Sequence, residues 1–424
     1  MKKNIIFMAV AALVLAASCS KEPANAPVGT ETITVNLNTP TRTEMSGTKT
    51  VWLSGDAVSV TVDGTQIGVL ELVEGNVFRG EIEKGYDGVA TLNYPAGATS
   101  VPTTQNAVEG SFADEAALLE GTTTVADLRA GNGAMLNNKT ALLSFATPVA
   151  GDVAFTIGNV TYTVKGCSAN KTYYACVDPA QSGKMSYTVG IVLGDKTKES
   201  FSTEAGKFYE LGTLALKQSM FAVVGDCNSW TDAKMYETSQ DNVFVLYGAT
   251  FASTGGFKIR KAGAWEDSYN FGTTSNTSRS KNAVVGVYAD GNSSDIKVNA
   301  GTYDIYFERL AGRVYLMESG KSYTTATKPT NTLQYCLIGS FNNWSDVDMT
   351  YSGDGIWTIV YKLAANNEFK IRKKGTWNEN WGYDNMSAGK NLTSNSGGNV
   401  KVNSAGDYVI GFYKAGNKIS LVKK

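Results

Sequence analysis

The chain has 424 residues with 44 Gly, 8 Pro and no His, and its 38 Lys and Arg against 39 Asp and Glu leave a formal net charge of −1. The lack of histidine removes most acid–base catalysis, the usual Ser and Cys triads and most zinc sites, and the dispersed basic residues argue against a nucleic acid partner. The length allows three or four domains, each with its own core. Alternating runs rich in Thr, Val and Tyr, divided by GN, DG and NG turns, indicate an all-β chain. Beyond the first eighteen residues no long stretch has helical periodicity, although DEAALLE at 114–120 could make one or two helical turns. Glycoside hydrolysis needs only two carboxylates. Asp232, Asp346, Asp348, Asp354, Glu379 and Asp384 fall mostly in turns, where Asp caps backbone amides, and no acid and partner stand out. The chain reads as a non-enzyme without a cofactor or metal.

At the N-terminus Lys2 and Lys3 precede the apolar run IIFMAVAALVLAAS, and Cys19 follows Leu15, Ala16, Ala17 and Ser18. Such a segment is a targeting sequence and stays outside the fold argument. It resembles a bacterial lipoprotein signal ending in a lipobox. The resemblance implies removal of 1–18, lipidation of Cys19 and a tether over 19–30 leading from an outer-membrane anchor at the cell surface. A plain secretory signal with an incidental Cys19 is the alternative. No later run is apolar enough to cross a bilayer.

Residues 31–217 read as two β-sandwich halves, 31–130 and 131–217, divided after VADLRAGNG, with Trp52 in the first core. Cys167 and Cys176 fit either a disulfide closing a hairpin or two small buried thiols. TRT at 41–43, VWLSGDAVSV at 51–60, NYPA at 93–96 and AGKFYELGTL at 205–214 look like the fimbrillin-like lipoproteins of Bacteroidota, which are built from two consecutive β-sandwiches. That resemblance allows two roles for this region, a fimbrial or adhesin subunit or a spacer beneath the domains that follow.

The last two hundred residues are a tandem duplication. FAVVGDCNSWTD at 221–232 recurs as YCLIGSFNNWSD at 335–346, and GGFKIRKAGAW at 255–265 recurs as NEFKIRKKGTW at 367–377. Matching strands close both copies, IKVNAGTYDIYF from 296 and VKVNSAGDYVIGF from 400. The repeats are set at 218–322 and 333–424, joined by a linker over 323–332. Cys227 and Cys336 stand at non-equivalent places, which favours core positions over a shared metal or redox role. Strand alternation sends Phe369 and Ile371 of FKIR to the core and Lys370 and Arg372 to the outer face; Lys258 and Arg260 repeat the pattern. A sugar ring offers polarised C–H groups on its flat face and hydroxyls at its rim. An aromatic platform with donors at its edge therefore suits it, and Trp with Lys supplies both.

GSFNNW at 339–344, EFKIR at 368–372 and GTWNENWG at 375–382 resemble the starch-binding repeats of SusE and SusF, surface lipoproteins of Bacteroidota. They are also similar, in the same order, to the glycogen-binding module of the AMP-activated protein kinase β subunit. The resemblance implies immunoglobulin-like β-sandwich modules and an α-glucan partner, held for a neighbouring SusC/SusD-like transporter. It nominates Trp344, Lys370 and Trp377 in the second copy, and Trp230, Lys258 and Trp265 in the first, as sugar contacts. Arg372 and Arg260 are further candidates, or else ordinary solvated cations. Trp381 is either a third platform or a plug beneath its loop; Phe271 replaces it in the first copy, which favours the second copy as the stronger binder. Trp357 belongs to the core with Ile359, Tyr361 and Leu363. Asn342, Asn343, Asn391 and Asn395 are secondary hydroxyl partners. The expected architecture is thus all-β, with tandem immunoglobulin-like β-sandwiches, two fimbrillin-like and two carbohydrate-binding.

Overall fold

The computed structural model describes residues 29–38, 52, 54–110, 116–382 and 398–424. The signal 1–18, Cys19 and most of the tether, the TRT segment, Asp384, Asn391 and Asn395 lie outside the described residues. Strands dominate throughout, and the chain is all-β with β-sandwich domains in tandem. Among the described residues no helix is long and apolar enough to cross a membrane.

The chain forms two compact units, one from the described parts of 1–42, 49–98 and 119–137, the other from 99–118 and 138–424. The first holds strands Thr30–Asn36, Val77–Glu83, Thr65–Glu74, Ala57–Val62, Val89–Tyr94 and Leu119–Thr124, hydrogen-bonded in that order. Period-2 alternation puts Ile33, Val35, Phe78 and Ile82 on the inner face. Trp52 joins them as expected, edge-on to Phe78 at 4.9 Å and to Tyr94 at 5.1 Å. The short helix Val125–Arg129 follows, capped by Thr124, whose Oγ1 accepts the Asp127 amide at 3.0 Å. Helix therefore forms at VADLR, where the sequence suggested a boundary. Of DEAALLE at 114–120, which could make one or two helical turns, the described residues are 3-10 helical at Ala116 and enter a strand at Leu119.

A single cut near 130 does not divide the N-terminal half. Residues 99–118 leave the first unit, and their strand Thr104–Asn106 pairs in parallel with Val160–Cys167 of the second. There, a sheet built on Gly151–Ile157, Val160–Cys167 and Ser182–Val189 faces the three-stranded sheet of Thr172–Val177, Ala141–Ala146 and Phe208–Thr213. Phe155 and Phe145, one from each sheet, meet edge-on at 4.9 Å. Cys167 and Cys176 are both buried in this core as thiols rather than as a disulfide, and burial pushes the Cys167 thiol up to about 11.

Both repeats then follow with matching strands. In the first, Gln218–Gly225 pairs antiparallel with Gly255–Lys261, and Val243–Phe251 with Gly301–Glu308. In the second, Tyr335–Gly339 pairs with Glu368–Lys373, and Ile356–Leu363 with Gly406–Tyr413. One difference separates them. Ala233–Glu237 bonds to both Gln218–Gly225 and Val243–Phe251, making one continuous sheet, whereas the corresponding stretch of the second copy is split between two sheets as Val347–Asp348 and Thr350–Gly353. Trp357 is buried against Tyr335, Tyr351 and Phe412, as expected of a core residue. Tyr323, assigned to the linker on sequence, is buried against Tyr306 and Tyr315 and belongs to the first repeat.

The repeats dock on each other. Arg313 Nη2 donates to Tyr351 O at 2.7 Å, Ser352 Oγ to Ala311 O at 2.6 Å, Arg279 pairs with Asp354, and Tyr288 stacks on Tyr413 with ring centres 5.5 Å apart. Val422 of the last strand reaches the core cluster of the first repeat. The connecting residues are therefore no free hinge.

Candidate functional site

The first platform of each copy stands on a built corner. Gly225 N donates to Asn228 Oδ1 at 2.9 Å and Gly339 N to Asn342 Oδ1 at 3.0 Å, while the amides of Trp230 and Trp344 return to the carbonyls of those glycines at 2.9 Å. A Cβ on either glycine would lie 2.4 Å from a carbonyl of the neighbouring FKIR strand, so only glycine fits. Ser229 and Trp230, like Asn343 and Trp344, are left-handed, with φ of 53°, 60°, 52° and 60°. Positive φ in consecutive non-glycine residues, one of them a Trp, costs energy and persists only where surrounding bonds enforce it. The corner leaves Trp230 exposed and Trp344 half-buried. Asn342 also donates to Ser345 O at 2.6 Å, so its amide serves the corner rather than a ligand.

The second platform is held by a bracket. Asp346 accepts Arg372 Nε on Oδ1 at 2.6 Å and the Gly375 amide on Oδ2 at 3.0 Å; Asp232 does the same for Arg260 at 2.8 Å and Gly263 at 2.6 Å. The guanidinium carbons lie 4.7 Å from the ring centre of Trp377 and 4.4 Å from that of Trp265. Arg372 and Arg260 are thus paired with a carboxylate and an indole, and their side chains are each 12% exposed. Trp377 and Trp265 remain half exposed, at 51% and 50%, and Trp230 at 40%. In the second copy the rings of Trp344 and Trp377 stand 6.4 Å apart at 46°.

The two lysines differ. Lys370 Nζ donates to Asn380 Oδ1 at 2.8 Å, and Asn380 Nδ2 donates to Trp377 O at 2.8 Å. Lys258, 8% exposed, makes no side-chain hydrogen bond or ion pair among the described residues. Burial pulls its ammonium below the usual lysine value, partly offset by Asp295 and Asp290. It opens into a cleft of about 370 Å³ lined by Trp230, Trp265, Asp267, Asn270, Asn292 and Asp295. Asn270 holds the register position of Asn380, yet its buried Oδ1 has no partner. Such a group points to a donor from outside. Sequence reading missed Asp267, Asn270, Asn292 and Asp295. The shared Asn before Phe271 and Trp381 was the one available signal. In the second copy Asn399 stands where Asp295 stands in the first and donates to Glu368 Oε2 at 2.9 Å, while 383–397 lie outside the described residues.

Trp381 is not a platform. It is 1% exposed, packed on Tyr335 and Phe412, with Nε1 donating to Asn417 Oδ1 at 2.8 Å. Phe271 occupies the same place, since Ile371 pairs with Trp381 as Ile259 pairs with Phe271. The Phe271-for-Trp381 exchange is therefore a core difference and gives no ground for ranking the second copy above the first.

No family model matches the chain, and no curated protein matches it. Among solved structures it is similar to SusF from Bacteroides thetaiotaomicron, at 13% identity and TM-score 0.20 over 93% of this chain and 76% of that one. A fimbrial protein from Bacteroides ovatus matches at 13% and 0.27, over 54% and 59%. A candidate cell-adhesion protein from Bacteroides uniformis matches at 14% and 0.27, over 43% and 94%. At these identities the likeness concerns the fold alone.

Proposed function

We propose that the chain is a surface lipoprotein, anchored in the outer membrane through Cys19, that captures polysaccharide on its two C-terminal repeats for a Sus-like uptake system. The ligand class suggested by the repeat motifs is α-glucan. One observation carries the reading. The same pair, a cornered Trp and an Arg-bracketed Trp, is built twice, and in the first copy it borders, with Lys258, a cleft holding an unpartnered ammonium and an orphan carbonyl. Exposed indoles suit the flat face of a sugar, and one donor beside one acceptor suits its rim. Two sites on one chain raise the effective concentration for the second encounter, so weak modules can retain a polymer.

Affinity electrophoresis of the full chain through gels containing amylopectin, glycogen, dextran or laminarin tests the proposal. Retardation by amylopectin and glycogen, lost on Trp230→Ala, Trp265→Ala, Trp344→Ala and Trp377→Ala together, is expected. Unretarded migration in every gel would end the glycan reading and favour a fimbrial or adhesin role. The anchor is tested separately: Cys19→Ala is expected to abolish palmitate labelling and release the protein from membranes.

A further inference from the structure

Asp290 lies where the two repeats meet. Its amide donates to Asn270 O at 2.9 Å, its Oδ1 accepts the Asn292 amide at 2.8 Å, and its carbonyl accepts the Ser293 amide at 3.0 Å and Oγ at 2.8 Å. These bonds shape the loop that supplies Gly291, Asn292 and Asp295 to the first cleft. The loop sits tightly, for a Cβ on Gly291 would lie 2.1 Å from Asp267 Oδ1, another lining atom. The remaining oxygen of Asp290, Oδ2, accepts from Lys418 Nζ at 2.7 Å, and Lys418 belongs to the second repeat. The two side chains are 10% and 24% exposed, so the pair is largely withdrawn from water. Just before the loop, Tyr288 stacks on Tyr413 of the second repeat at 28°. The turn between Tyr413 and Lys418 is itself fixed, with Asn417 receiving Trp381 Nε1 and Lys414 pairing with Glu379 at 3.4 Å.

We infer that the second repeat completes the cleft of the first, with Lys418 as a positioning residue that acts through Asp290. A buried carboxylate deprived of its cation is strongly disfavoured and turns toward water or toward another charge. The nearby cation is Lys258, whose ammonium already feels Asp290. Loss of Lys418 therefore frees the Asn292 amide and draws Lys258 out of its open position. The wall and the donor of the cleft are lost together. The inference rests on the glycan reading for what the cleft holds.

The test uses the full chain carrying Trp344→Ala and Trp377→Ala, so that binding reports the first cleft. Lys418→Met and Lys418→Arg are compared by hydrogen exchange and by retardation in amylopectin gels. Exchange at Asn292 and Ser293 is expected to quicken roughly three- to tenfold in Lys418→Met, the scale of one ordinary hydrogen bond. Amides of Gly255–Lys261 keep their rate, retardation weakens by a similar factor, and Lys418→Arg restores both. Unchanged exchange, equal acceleration everywhere, or faster loop exchange with unchanged retardation would overturn the inference. Trp265→Ala in the same background separates the two ideas. If it leaves retardation intact, the glycan reading of this cleft fails; if it abolishes retardation while Lys418→Met behaves as the parent, only the inference fails.

Discussion

Arg372 stacks on Trp377 with its guanidinium carbon 4.7 Å from the ring centre, and Arg260 repeats the contact on Trp265 at 4.4 Å. Each indole is thereby packed against a cation. The arginine is held in turn by Asp346 or Asp232, which also takes the amide of the turn glycine. Indole, cation and turn are thus tied to one another, and under the proposed function such order before binding would lower the entropy lost when a sugar docks.

Arg372→Met keeps the aliphatic stem and removes the bracket. The cation–π contact and ion pair are largely buried, the Arg372 and Asp346 side chains being 12% and 20% exposed, so their loss costs about 2–4 kcal/mol and the second repeat is expected to fold with a clearly lower Tm. Trp377 loses its fixed orientation, and retardation by amylopectin is expected to weaken a fewfold. Fluorescence anisotropy decay is expected to show faster local motion of the indole. Unchanged anisotropy with unchanged retardation would mean the stack has no positioning role.

Trp381→Ala and Trp377→Ala are expected to separate cleanly. Trp381 is fully enclosed, and truncating a buried Trp typically costs about 3–5 kcal/mol. The second repeat melts early, and any loss of binding follows loss of fold. Trp377 is half exposed, so its removal changes stability by roughly 0.5 kcal/mol or less while reducing affinity about tenfold, the scale of one aromatic contact. Calorimetry with circular dichroism distinguishes them; equal Tm shifts would contradict the burial assigned to Trp381.

What the sequence made legible is local. FKIR alternation put Phe257, Ile259, Phe369 and Ile371 into the cores, where all four are fully buried. Trp357, on an alternating strand, was read as core for the same reason. Trp381 was ambiguous because its burial depends on Phe412 and Asn417, supplied by the final hairpin. Asp346 was read as a turn residue capping an amide, which it is; its second bond, to Arg372, lies across the sheet. Asp290 and Lys418 are 128 positions apart, and no spacing rule reaches that far. The continuous excursion of 99–118 into the second unit escaped for a like reason, since a three-residue strand carries too little periodicity to show its partner.

Both copies are expected to bind. Each retains an exposed second platform, and the third place is core in both. Trp265→Ala alone and Trp377→Ala alone should each leave partial retardation, and the double variant should lose far more than the sum of the two, because the avidity of two linked sites disappears. Retardation wholly abolished by one single variant, with the fold intact, would assign binding to that copy.

Lys258 links stability, binding and pH. Lys258 is 8% exposed, its ammonium makes no ion pair among the described residues, and burial lowers its pKa from the ordinary 10.5. Between the lowered folded value and 10.5 the unfolded chain binds more protons than the folded one, so this group's contribution to stability improves as pH rises through that window. At neutral pH the charge is a cost, and Lys258→Met is expected to leave the Tm unchanged or raise it. Binding runs the opposite way, because the charged amine is the donor facing the cleft. With the second copy silenced by Trp344→Ala and Trp377→Ala, retardation by amylopectin should fall as pH rises toward 10.5, while circular dichroism stays constant. Lys258→Met should bind weakly and without that pH dependence. A raised Tm together with undiminished retardation in Lys258→Met would show that the ammonium is a buried structural charge and that the cleft recognises its ligand without it.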